Sequence, residues 1–91
     1  MEQTHIVKRK GHLEKFDEKK AYASVYFACR SSHLGEQEAE KIAQKVLQSL
    51  TKEMAPQKEV SSDWIFSFIS KEMEKHNKDA AYMYRTHRDI S

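Results

Sequence analysis

The sequence predicts a mainly helical fold of the α+β class, in which an N-terminal β-hairpin packs as a lid on a four-helix bundle. Three observations carry that expectation. Apolar residues recur at spacings of three and four in successive stretches from Ala21 onward. Ahead of them, a short β-branched run is followed by a glycine and a second short run, the pattern of two paired strands. The length, 91 residues, suffices for one small hydrophobic core and leaves no room for a second, so a single domain over residues 1–91 is expected.

The hairpin is expected over about residues 4–16. THIVKRK supplies the first strand, Gly11-His12 the tight turn and LEKF the second strand. Asp17 then offers a carboxylate to the free N–H groups of a new helix, and Glu18 adds negative charge where the helix dipole favours it. Helix one is therefore expected over 18–30. Ala21, Val25 and Ala28 form its apolar face, with Tyr22, Tyr26 and Cys29 on the adjacent row.

Ser31, Ser32 and Gly35 break that helix. The cleanest pattern in the chain follows: Ala39, Ile42, Ala43, Val46, Leu47, Leu50 and Met54 alternate by threes and fours, which predicts a helix over 36–54. Pro56 makes APQKEV a connection, and Ser61 or Ser62 can cap a third helix over 62–76. Its apolar residues, from Trp64 to Met73, cover more than one face, so it should lie at the centre of the core. After His76-Asn77-Lys78, the apolar pattern restarts at Ala80 and predicts a short last helix over 78–88.

Composition excludes several function classes. With 38% hydrophobic and 33% charged residues the chain reads as a soluble folded domain rather than a disordered tail. Its net charge of +2 argues against a surface built wholly for nucleic acid. Cys29 is the only cysteine, so neither an intramolecular disulfide nor a four-thiolate metal site can form. The five histidines lack the paired spacing that converges metal ligands, and no metal is expected. The N-terminal MEQTHIVKRK holds no apolar segment of the signal-peptide kind, and a cytoplasmic setting is expected.

What charge there is gathers at one place. Lys8, Arg9, Lys10, Lys15, Lys19 and Lys20 surround the junction between the hairpin and helix one. An anion there would meet cationic side chains and the positive end of a helix dipole.

The residues at that junction, V-K-R-x-G-x-x-E-x-F-D-x-x-K from Val7 to Lys20, resemble the signature that opens the ATP-cone family. The likeness continues through V-S-S-D-W-I at 60–65 and the Tyr-Met-Tyr-Arg…Arg-Asp-Ile ending at 82–90. It implies a regulatory module that binds ATP or dATP, of the kind found at the N-terminus of ribonucleotide reductases and in the repressor of their genes, and that does not catalyse. Residue by residue, it implies that Lys8, Arg9 and Lys20 face the phosphates and that Glu14, Phe16 and Asp17 lie in the segment holding base and sugar. Val7 opens the signature and is counted with the site. Ser61 matches a hydroxyl position lining it, and Arg85 or Arg88 falls where a late basic residue sometimes reaches the phosphates. The chain departs from the family pattern at Ala21, where a branched aliphatic residue is usual, and at Ile65, where some members place a polar side chain. The usual catalytic or zinc-binding partner domain is missing, so an ATP-cone alone is expected, free-standing or excised.

Elementary chemistry agrees with that implication. Cations converging on a polyphosphate make charge-assisted hydrogen bonds of about 1.5–3 kcal/mol each. Gly11 allows the positive φ that a tight hairpin turn needs. Glu14 cannot bind phosphate, which leaves it as an acceptor for a ribose hydroxyl or an adenine amino group, or as a structural counter-ion. Mg²⁺ can accompany the triphosphate without being required. Hydrolysis is not expected, because the sequence has no Walker loop and no group to position water. The expected output is a change in self-association or in a protein partner such as ribonucleotide reductase. Two other readings stand beside it: a small nucleic-acid-binding or transcription-regulatory protein using the basic hairpin with Arg85 and Arg88, and a degenerate cone serving as a protein interaction module.

Overall fold

The computed structural model describes residues 5–7, 11 and 13–90, with side chains through 87. Helices dominate it: α1 (Glu18–Ser31), α2 (Glu36–Met54), α3 (Ser62–His76) and α4 (Lys78–Ile90). The strands β1 (His5–Val7), β2 (Leu13–Lys15) and β3 (Glu59–Ser61) form one sheet in the order β2-β1-β3.

That sheet departs from the expected two-stranded hairpin. β1 and β2 pair antiparallel, with Ile6 opposite Glu14, and the connecting Gly11 adopts φ 80°. β1 is also paired, in parallel, with β3, which places Ile6 opposite Val60. The segment after Pro56, expected as a plain connection, thus leads into a third strand. A three-residue strand with one buried side chain shows no alternation to read. Its partner is distant in sequence, reached by a crossover through α1 and α2 rather than a local turn. The consequence is mechanical: β1 is the central strand, and the hairpin is tied to the start of α3 through β3.

The helices start where side chains can satisfy their free N–H groups. The Asp17 carboxylate accepts from the backbone N–H groups of Lys19 and Lys20, at 3.0 and 3.2 Å. The Ser61 hydroxyl accepts from Trp64 N–H at 2.9 Å, and Asn77 Oδ1 from Ala80 N–H at 2.9 Å. α2 begins at Gly35 without a side-chain cap, and the long apolar stripe of that helix compensates by burial. α1 ends through Ser32 and His33, and His33 takes a left-handed φ of 73°.

Each helix packs on two others: α1 and α3 both contact α2 and α4. Val25, Val46, Leu50, Ile69 and Met73 are fully buried between them, each contributing about 1.5–3 kcal/mol by leaving water. Ala80 and Ala81 are also buried, which lets α4 approach closely. Cys29 lies in this core as a small apolar side chain, and burial, with a contribution from the Glu38 carboxylate, pushes its thiol up to about 11. The sheet turns the row Glu14, Ile6 and Val60 toward the helices: Val60 is buried, and Ile6 packs against the core together with Phe16. Among the described residues, no helix is long and apolar enough to cross a membrane.

Candidate functional site

A cavity of about 530 Å³ lies between the hairpin and the helices. Ile6 of β1 and Glu14 of β2 face it from one register row, followed by Lys15, Phe16 and Asp17 as the chain leaves the strand. Lys20, Ala21 and Ser24, one turn apart on α1, form the next wall. Ile65 and Ile69 of α3 and Tyr84 of α4 close the back. The floor is therefore apolar and the rim charged, the division of labour that a ligand with a flat ring at one end and anionic groups at the other requires.

The electrostatics of the rim differ in one respect from expectation. The N-terminus of α1 already holds a carboxylate, because Asp17 accepts from the amides of Lys19 and Lys20. An incoming anion cannot use those N–H groups without displacing the cap, so attraction has to come from side chains. Lys15 and Lys20 supply it, both on the exposed rim, where a flexible four-carbon stem lets the ammonium reach an anion. Their two charges are matched by Glu14 and Asp17 among the described lining residues, so this part of the cavity is balanced rather than strongly positive.

Four of the residues named from sequence converge here: Glu14, Phe16, Asp17 and Lys20. Lys8, Arg9 and Lys10 lie outside the described residues, as does the side chain of Arg88. Val7 and Ser61 share a register row adjacent to that of Ile6, and the Ser61 hydroxyl is engaged in capping α3. Arg85 forms an exposed pair with Glu74 of α3 at 2.9 Å, a contact that is cheap to break. Lys15, expected among the cations of the junction, lines the cavity as well, whereas sequence reasoning missed Ile6, Ser24, Ile69 and Tyr84. Strand alternation could have found Ile6, since the partner of Glu14 must share its face, and helical spacing could have found Ser24 from Lys20.

The ATP cone domain family matches residues 4–90, from just before β1 to the last residue of α4. The chain belongs to that family. ATP cones are regulatory domains rather than catalysts, and their ligands are ATP and dATP, so this cone is in general terms a nucleotide-binding regulatory module. No curated protein matches the chain.

Behind the cone's charged-rim cavity lies a second one of about 570 Å³, between α1, α3 and α4. Its walls are mostly apolar, with Phe27 and His87 meeting edge to face at 5.4 Å and Phe66 stacked on Tyr84 at 5.4 Å. The two cavities share Ser24, Ile65 and Tyr84 as a common partition.

Proposed function

We propose that this chain is a single ATP-cone domain that senses ATP or dATP in the cavity under the hairpin and passes its occupancy on as a change in assembly or in the activity of a protein partner such as ribonucleotide reductase. The observation that carries the reading is the convergence of Glu14, Phe16, Asp17 and Lys20, four positions of the family signature, on one cavity of nucleotide size. Lys20 and Lys15 hold phosphate from the α1 side and the strand side, and Lys8 and Arg9 complete the grip on the strength of the resemblance. Val7, Ser61 and Arg88 belong to the same site on the strength of the resemblance. Phe16, Ile65 and Tyr84 give the base and sugar an apolar bed, and Glu14 accepts from a hydroxyl or amino donor.

Binding in such a site acts as a lid closure. The triphosphate offsets repulsion among the hairpin and α1 cations and draws the hairpin onto α1, with Mg²⁺ as an optional companion to the phosphates. It alters assembly only to the extent that it binds the two assembly states with different affinity. A cytoplasmic setting, where nucleotide triphosphates are abundant, suits this role.

Calorimetric titration with ATP and then dATP in magnesium buffer tests the reading, with light scattering on the same samples. Saturable binding that is lost in the double variant Lys8→Ala/Lys20→Ala is expected, accompanied by a nucleotide-dependent change in scattering. Absence of heat from both nucleotides removes the sensing role, and binding without any change in scattering leaves a sensor whose output lies in a separate partner.

A further inference from the structure

The partition between the two cavities has an uneven support. Tyr84 is the contribution of α4 to the charged-rim cavity among the described residues, and its ring is stacked on Phe66 at 5.4 Å with an interplanar angle of 22°. Phe66 lines the apolar cavity and does not line the other. Tyr84 also lines the apolar cavity of about 570 Å³, so open volume borders its ring there as well.

We infer that Phe66 is a positioning residue for the nucleotide: by stacking on Tyr84 it holds that ring as the rear wall of a cavity that Phe66 itself does not touch. This rests on the nucleotide reading above. A base or sugar gains from a flat ring only when the ring is held in place before binding, since a ring that must first be immobilised gives back part of the stacking gain. Tyr84 packs against the core as well as on Phe66, and the stack adds a restraint on ring rotation on a side where open volume supplies none.

The same helix supplies an internal control. Trp64 and Phe68 stack at the same centroid distance, 5.4 Å, with an interplanar angle of 24°, and neither lines either cavity. Phe66→Leu and Phe68→Leu therefore each remove one ring from a stacked pair on α3, one beside the partition and one away from it.

The experiment compares these variants by thermal melting and by calorimetric titration with ATP, at a temperature where each is folded. Both substitutions are expected to lower the melting temperature. Phe66→Leu is expected to weaken ATP binding roughly tenfold, Phe68→Leu to leave it within about twofold of the unaltered chain, and Phe66→Tyr, which keeps the ring, to restore it. If Phe66→Leu does not fold, Phe66→Met, which nearly keeps the volume but not the flat ring, takes its place with the same expectation. Unchanged ATP affinity without the Phe66 ring overturns the inference alone, and so does an equal loss in Phe68→Leu, which marks a general effect of stability. Failure of the unaltered chain to bind ATP overturns the nucleotide reading and this inference with it.

Discussion

α1 presents two stripes that meet different surroundings. One carries Lys20, Ala21 and Ser24, small or charged residues that line the charged-rim cavity and leave its volume open. The other carries Val25, Ala28 and Cys29, all fully buried and in contact with the rest of the core. The contrast shows how one helix serves both site and scaffold: the core stripe fills space, and the cavity stripe withholds side-chain bulk so that a ligand can supply it. Stability and binding should therefore respond to different residues of the same helix, even where these are neighbours in sequence.

The largest expected effects test that separation directly. Lys20→Ala removes a charge-assisted contact of about 1.5–3 kcal/mol, so nucleotide affinity should fall at least about tenfold. Lys20 is exposed, and the unfolding free energy should change by less than about 0.5 kcal/mol. Val25→Ala should do the reverse, costing about 2 kcal/mol of stability through lost burial and a residual cavity, with the affinity of the folded protein preserved. Urea denaturation and calorimetry on both variants measure the four quantities. Comparable losses of affinity in the two would show that the stripes are not independent.

A pH series sharpens the comparison from the core side. The Cys29 thiol, raised from 9.0 to about 11, is disfavoured as a thiolate in the folded chain. An acid whose folded pKa lies above its unfolded value contributes full stability below the unfolded value and loses it as pH rises from there toward the folded one. The unaltered chain should thus lose about 1 kcal/mol at pH 10 relative to pH 8 beyond whatever Cys29→Ala loses over the same range. Subtracting the variant removes the titration of tyrosines and lysines, and identical slopes would place Cys29 in contact with water.

The two stripes also differ in how far they could be read from sequence. Periodicity alone points to Val25 and Ala28, as it points to the whole buried face of α2 from Ala39 to Met54. Asp17 and Ser61 were legible as helix caps because their chemistry is local: an oxygen acceptor beside free N–H groups. β3 was not legible, since its pairing with β1 is made across the length of α1 and α2. The lining of the charged-rim cavity was legible where it is contiguous, from Glu14 to Lys20, and not where other elements complete it. Tyr84 reaches the cavity from α4 because of helix packing, which no local pattern encodes, and Arg85 beside it is paired with Glu74 instead.

The smallest effect lies at the end of α1, where both stripes stop. His33 holds a left-handed φ of 73°, the conformation that lets its N–H and that of Leu34 reach the carbonyls of Arg30 and Cys29 at 3.0 and 3.2 Å. A residue with a Cβ holds that backbone at a cost of about 1 kcal/mol, which glycine escapes. Glycine in turn has more freedom to lose from the unfolded chain, so His33→Gly should yield a net gain of about 0.5 kcal/mol. The gain should appear as a higher urea midpoint at unchanged slope, with nucleotide affinity unaltered, because His33 lines neither cavity. A loss of stability would mean that the imidazole itself stabilises this helix end by more than the strain its backbone carries.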